Sequence, residues 1–487
     1  MSIPGDGLNG LPSELICNIF RRVVDSLDPR EDRCRLMLVC RRWREYVEGS
    51  TLLWTTIPGR YGLTYMRRAL ENSRGAMIDL RCQMSSAVKP GLFMVEAGPH
   101  IARWRSLVVA LRSPPPLQSA LAPLTTTQAP NLELLKILMA RPSHLISETP
   151  ITLFGGAPAP STLKDLVLTR VPVAIEPLGL SGLVSLVLRG MPTISTPQLF
   201  EILRGSPRLE TLRLYDNPKL VAIGSQASNI HPIELPKLIS LTLNLIDSGG
   251  TNCILSNIRL PNRRHVLICA NMRGVNPRSV LFTSAITHLF HTTIPTADLP
   301  PSVIRVETYG DDCMITFRDI AFNVSVDGEN RIQEILGWLA DALGSKAAEF
   351  PVHLIHGWSA RYTVRLAAVP LPFVVKHLSI PTPVYDPWRE ALYTAMAQAP
   401  DPPSSDWFIP QLESLSVGLK TMEMESQKQL ISMLKNRYEG ANSTGETELR
   451  CPMNLRSVEL RGEARIEGLA EEIKGILGGV DVFWISG

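Results

Sequence analysis

One spacing recurs along most of this chain and limits what the chain can fold into: apolar, two variable, apolar, one variable, apolar. It occurs at Trp104, Leu107 and Val109, and again at Leu132, Leu135 and Ile137. Clearer copies follow at Leu163, Leu166 and Leu168; Leu183, Leu186 and Leu188; Leu209, Leu212 and Leu214; and Leu238, Leu241 and Leu243. Later copies stand at Val375, Leu378 and Ile380; Leu412, Leu415 and Val417; and Leu455, Val458 and Leu460. The last two apolar residues of each copy alternate on a short strand and point to one side, while their neighbours point to the other. Between copies the sequence supplies amphipathic helices. Ser195-Thr196-Pro197 opens one that buries Leu199, Phe200, Ile202 and Leu203 and ends at Gly205. Others are expected from Arg331 to Leu343 and from about Glu423 to Tyr438. Strand, turn, helix, strand is the order that parallel strands require.

From 163 to 238 the copies start 20, 26 and 29 residues apart, and the copy at 209 continues through Asn217 to Leu220. In this it resembles the leucine-rich repeat, whose units run about 20–29 residues. The resemblance implies an α/β fold, an irregular leucine-rich-repeat solenoid with parallel strands inside a horseshoe and helices outside. Between about 250 and 370 only weak copies are found, such as Val303 to Val306, and irregular repeats are expected there. In such a solenoid the outward strand positions form the concave face. They are Asp165, Val167 and Thr169; Ser185, Val187 and Arg189; Thr211, Arg213 and Tyr215; Ser240, Thr242 and Asn244; Ser414 and Ser416; and Ser457, Glu459 and Arg461. Of these, Thr169, Arg189, Arg213, Tyr215, Asn244, Glu459 and Arg461 are the candidates for binding a target, and Arg213 and Tyr215 are of the types that dominate interface energy.

Ahead of the repeats, Leu11 to Trp54 has another pattern. Apolar residues at 15, 16, 19, 20 and 23 recur at helical spacing, and Pro12 stands where a first turn tolerates it. Pro29 with Glu31 and Asp32 opens a second helix, and Cys40 to Glu48 reads as a third. Three short helices in some forty residues bury too little to be very stable alone. Leu11, Pro12, Glu14, Leu15, Ile16, Ile19 and Phe20, then Val39, Cys40, Arg41 and Trp43, then Leu53 and Trp54 resemble the F-box. That resemblance implies docking on the Skp-type adaptor of a cullin-RING ubiquitin ligase. It further implies that Leu11, Pro12, Leu15, Ile16, Ile19, Phe20, Val39 and Trp43 form the adaptor-facing surface and its support. Cys40 is expected to be a small buried apolar residue, and Trp43 to belong to the core. The whole chain is similar to a fungal class of F-box proteins with degenerate leucine-rich repeats.

Composition excludes several alternatives. Lys and Arg number 49 against 46 Asp and Glu, for a net charge of +3, and the many arginines of residues 1–60 are almost balanced by acids. A near-neutral chain of this kind is a poor partner for nucleic acid. No apolar run approaches the ~20 residues of a membrane-spanning helix, and no leader or lipidation signal is expected at either end. The eight cysteines are scattered without a Cys-x-x-Cys pair, as in a reduced cytoplasmic or nuclear protein; the sequons at Asn323 and Asn442 are then chance matches. The 39 prolines exceed an ordinary share of about 5% and point to many short elements.

No pattern carries bond-making chemistry. Gly5, Gly7 and Gly10 match a dinucleotide fingerprint in letters, but no strand precedes them. His288 with His291 and His353 with His356 would share a helix face, yet neither pair has a third ligand at suitable spacing. Asp311-Asp312 and Glu471-Glu472 are sequence neighbours, which do not face one another on a helix or strand. No catalytic residue, cofactor or metal is expected. The organisation read from the sequence is a tail (1–7), an F-box domain (8–60) and a repeat solenoid (61–487). The expected role is that of a non-catalytic substrate-recognition subunit that binds the adaptor and, through it, the cullin, and holds an unidentified target for ubiquitin-dependent degradation. The alternative is an interaction scaffold without ligase function.

Overall fold

The structure is a computed structural model. It describes residues 11–24, 29–83, 87–111, 120–140, 150–220, 232–245 and 248–261. Further on it describes 265–271, 304–309, 312–317, 320–325, 352–357, 375–380, 411–419, 424–438, 455–462, 468–478, 480–486 and isolated residues between them. The glycines at 5, 7 and 10, the pair His288 and His291, the helix expected at 331–343, Asp311 and Asn442 lie outside the described residues. Backbone contacts divide the chain into two compact units, one comprising Met1–Leu241 with Asn257–Asn262, the other Thr242–Ser256 with Arg263–Gly487.

The first unit begins with three helices, α1 (Ser13–Val24), α2 (Pro29–Val39) and α3 (Arg41–Gly49). Helix α1 turns Ile16, Phe20 and Val24 inward, the i, i+4, i+8 stripe that one helix face presents. Cys40 is not buried as expected: it is exposed and caps α3, its Sγ accepting a hydrogen bond from the Trp43 N–H at 3.4 Å. A polar cap fits here because the first backbone N–H groups of a helix have no partner within it.

A mixed α/β region with a parallel sheet follows. Strands β1 (Thr56–Pro58), β2 (Ile78–Cys82), β3 (Trp104–Leu111), β4 (Leu134–Met139), β5 (Asp165–Thr169), β6 (Ser185–Arg189) and β7 (Thr211–Tyr215) each pair in parallel with the next. The helices α4 (Leu63–Asn72) and α5 (Pro90–Ala97) intervene early, and Thr196–Gly205 later. Register aligns the apolar positions in rows. Leu107, Leu135, Leu166, Leu186 and Leu212 form one, and Val109, Ile137, Leu168, Leu188 and Leu214 another. Every residue in both rows is buried, and burying one such side chain is worth about 1.5–3 kcal/mol.

The segments that lead into and out of these strands repeat as well. Before them, the N–H of Glu133 reaches the Arg105 carbonyl, Lys164 that of Glu133, Val184 that of Lys164 and Glu210 that of Val184, each at 2.8 Å. After β5, β6 and β7 the next residue takes a left-handed backbone: Arg170, Gly190 and Asp216 have φ of 55°, 58° and 50°. At Gly190 a Cβ would stand 2.9 Å from the Arg170 Cγ, so glycine meets both the conformation and the close approach. Asn217 is buried beyond the last of these turns. Its Oδ1 accepts the Met191 N–H at 2.8 Å, and its Nδ2 donates to the Leu188 carbonyl at 3.1 Å. The expected helix at 195–205 forms as Thr196–Gly205 with the expected buried residues, and the Gln198 side chain accepts the Ser195 N–H. The short strands β8 (Ile233–Glu234) and β10 (Ile258–Arg259) pair with one another, and β9 (Ser240–Leu245) lies between them in sequence.

In the second unit the strands are β11 (His265–Asn271), β12 (Ile304–Tyr309), β13 (Asp312–Phe317), β14 (Ile320–Ser325), β15 (Val352–Gly357), β16 (Val375–Ile380), β17 (Ser414–Leu419), β18 (Ser457–Gly462) and β19 (Asp481–Ser486). Strands β15 to β19 again pair in parallel and in order. The region expected to hold irregular repeats differs. There β12, β13 and β14 form an antiparallel meander, with β14 beside β11 and β12 beside β15, both parallel. Two residues separate β12 from β13 and β13 from β14, which suits a hairpin and leaves no room for a crossover helix. Helix Met424–Tyr438 buries Leu430, Ile431 and Leu434 as expected.

Candidate functional site

Two surfaces collect the residues singled out in the sequence. The first is helical. Beside the buried stripe of α1 runs a second apolar stripe, Leu15, Ile19 and Val23, that the chain leaves exposed. Leu38 and Val39, at the end of α2, are 77% and 59% exposed, and Leu52 is also uncovered. Pro12 is exposed and Leu11 partly so; the Pro12 carbonyl accepts the N–H groups of Leu15 and Ile16 at 3.1 and 3.2 Å. Ile16 and Phe20 face inward, so they can only support this surface. Trp43 is partly exposed, not fully core, and its ring leans on Phe20 with centroids 4.7 Å apart at 58°. Val23, Leu38 and Leu52 are not among the residues that the resemblance placed at the adaptor-facing surface, although Val23 stands on the same helical spacing as Leu15 and Ile19.

The helices are tied to the sheet by a buried cation. Arg33 is 1% exposed; its guanidinium lies 4.8 Å from the Trp54 ring centre and 5.6 Å from that of Tyr65. It donates to the carbonyl of Thr56, in β1, at 3.0 Å, while Nε and Nη1 find no hydrogen-bond partner. Burial lowers the Arg33 pKa from its usual value, opposed by Tyr65 and Tyr61. Burial also pushes the Tyr65 phenol up to about 12, opposed by the Arg33 charge, and its buried hydroxyl lacks a partner. Trp54 donates its indole N–H to the Val47 carbonyl at 2.8 Å. Aromatic faces can hold a desolvated guanidinium with about 2 kcal/mol of attraction.

The second surface is the outward side of the strands. In the first unit, register sets Thr169 beside Arg189 and Arg189 beside Tyr215. The Arg189 guanidinium lies 5.7 Å from the Tyr215 ring and 3.9 Å from the Asp216 carboxylate, and Arg213 is exposed beside Val187. Asn244 is partly exposed on β9. Thr242, which like Asn244 belongs to the second unit and is expected to face outward into solvent, is buried, as is Ser416.

In the second unit, Glu459 and Arg461 border a cleft of about 530 Å³ that also involves Arg305, His353, His377 and Ser379. His353 lies on strand β15, Val352–Gly357, so His353 and His356 are not on a helix and cannot share a helix face. His353 instead meets His377, with ring centroids 5.8 Å apart, and lies 2.9 Å from the Ser379 Oγ. Burial, the neighbouring His377 and the two arginines lower its pKa. The sequence held a signal for His377 and Ser379, the outward positions of the copy at 375–380.

Among the described residues no group of three His, Cys, Asp or Glu could hold a metal ion. Among them, too, no helix is long and apolar enough to cross a membrane. No curated protein matches the chain. Residues 8–57, the three helices with their exposed stripe, match the family model described as F-box-like, which indicates an adaptor-linked substrate-recognition role in SCF-type ligases.

Proposed function

We propose that the protein is the substrate-recognition subunit of an SCF-type cullin-RING ubiquitin ligase. The observation that carries this reading is the uncovered apolar stripe Leu15, Ile19 and Val23, within the segment that matches the F-box-like model. Apolar side chains grouped on a small helical module favour a protein cover. On this reading the Skp-type adaptor covers the stripe together with Leu38 and Val39, and the cullin joins through the adaptor. The F-box domain is residues 8–60, and residues 61–487 form a degenerate leucine-rich-repeat solenoid of the fungal F-box class. The strand rows, the repeated left-handed turns and buried Asn217 support the solenoid. Its outward strand faces bind a target protein, which is ubiquitinated in trans, in the cytoplasm or nucleus. The chain's own contribution is affinity and geometry, not bond-making.

The test is ubiquitination of a co-purified target in a system rebuilt from the chain, a Skp-type adaptor, a cullin and a RING protein. Leu15→Asp should abolish both adaptor capture and target modification, because a carboxylate buried at an apolar contact costs several kcal/mol. Since Leu15 is exposed in the free chain, the variant should fold normally. A well-folded wild-type chain that ignores the adaptor at micromolar concentration would refute the proposal. Adaptor capture without modification of any bound protein would leave a scaffold in its place.

A further inference from the structure

We infer that the outward face of β12 and β15–β19 binds an extended peptide carrying an anionic side chain next to an apolar one. The inference rests on the target-receptor reading and names the chemistry of the segment recognised.

Charge sets the first half of the argument. Arg305 is hydrogen-bonded to Glu307 on its own strand, and Arg461 to Glu459. In both pairs the acid lies beneath and the cation protrudes. The Arg305 side chain is 52% exposed against 8% for Glu307, and that of Arg461 54% against 26% for Glu459. In each pair the arginine Nε stands against the carboxylate. The guanidinium edge opposite Nε is the one that a carboxylate or phosphate would grip. With a carboxylate at Nε and more than half of each arginine side chain exposed, the end of each fork is the part open to a partner. Between the two arginines stand the imidazoles of His353 and His377 and the hydroxyls of Ser379 and Ser414. His353 and Ser379 are bonded to one another, which leaves that pair one proton for an anion, and His377 and the Ser414 hydroxyl can each donate another.

Register sets the second half. Ser457 aligns with Asp481, Glu459 with Phe483 and Arg461 with Ile485. Phe483 and Ile485 thus lie on the same side as the cleft, one strand beyond it, and both are exposed, at 54% and 45%. Adjacent strands stand about 4.8 Å apart, so the apolar pair lies within one or two residues' reach of Arg461 along an extended peptide. A cationic pocket bordered by an apolar ledge distinguishes this face from the Arg189–Tyr215 row of the first unit.

The experiment uses the full chain bound to its adaptor and oriented libraries of ten-residue peptides. The central residue is fixed as Glu, phosphoserine or Gln. The Glu or phosphoserine library, or both, should be retained at least tenfold better than the Gln library, with Leu, Ile, Phe or Met enriched close to the fixed residue. Comparison of the two acidic libraries tells whether a carboxylate or a phosphate is the natural anion. Arg305→Gln combined with Arg461→Gln should remove that preference, and Phe483→Ser should remove the apolar enrichment alone. Glu459→Gln, which releases Arg461 from its internal partner, should strengthen acidic binding, an effect that misfolding cannot imitate. Equal retention of the three libraries, retention of none, or an acidic preference that survives the double arginine variant would overturn the inference. Adaptor capture measured on the same samples separates the two readings. Intact capture without acidic selection sinks the cleft alone, whereas acidic selection without capture sinks the ligase role alone.

Discussion

Leu15 on α1 and Leu186 on β6 carry the same side chain and meet opposite environments. Leu186 stands in a row with Leu166 and Leu212 on the neighbouring strands and is fully buried, whereas Leu15 is 49% exposed. A strand inside a sheet has a neighbour on each side, and each added strand extends the cover over the one before. Three short helices have no such extension. Their inner stripe, Ile16, Phe20 and Val24, uses what core there is, and the next stripe is left outside. Apolar residues in the sheet hold the chain together, while those outside α1 are available to another polypeptide.

The contrast can be broken most readily at those two leucines. Leu186→Ala should cost about 2–5 kcal/mol in chemical denaturation, the usual loss for a buried leucine. Leu15→Ala should stay within about 0.5 kcal/mol of wild type; equal losses would mean that the outer stripe is covered within the chain. Arg33 tests the tie between the helices and the sheet. Arg33→Ala should cost about 3 kcal/mol through the lost contacts with Trp54, Tyr65 and the Thr56 carbonyl. Arg33→Met, which fills the space without a charge to desolvate, should recover most of that loss in the same measurement. Trp43→Ala should cost about 2 kcal/mol, less than the ~3–5 of a fully buried ring, because only its contact face on Phe20 is lost. The smallest effect sharpens the picture at Tyr65. Tyr65→Phe removes a buried hydroxyl without a partner and should leave stability unchanged or raise it by up to about 1 kcal/mol. A loss above 1 kcal/mol would mean that the hydroxyl has a bonded partner in solution.

Legibility followed the length of the signal. The strands at 134–139, 165–169, 185–189 and 211–215 were readable because three apolar positions repeat at fixed offsets and a single face accepts them. The meander of β12–β14 was not, since its short runs lack the three-position spacing and antiparallel pairing leaves no such mark in one strand. His353 and His356 are three apart, which fits a helix turn as well as a strand, and only the pairing of β15 with β12 and β16 decided between them. Cys40 was misread for a similar reason: a small apolar-looking residue between two helices can be core or cap, and the chain geometry makes it a cap. Arg33 gave no signal at all among its neighbouring arginines. Its burial depends on Trp54 and Tyr65, which arrive from later in the chain.

The sequence by itself determined the local periods: which residues line the strands of the repeat, where the helices between them start and that α1 has apolar side chains on two adjacent stripes. Those follow from the geometry of one element, in which spacing alone decides what shares a face. Only the tertiary structure decided which of the two stripes is covered, that Arg33 is buried, and that Arg461, His353 and Phe483 share one surface. Each of those depends on which distant segments become neighbours, and that is a property of strand order and register rather than of any short run of residues.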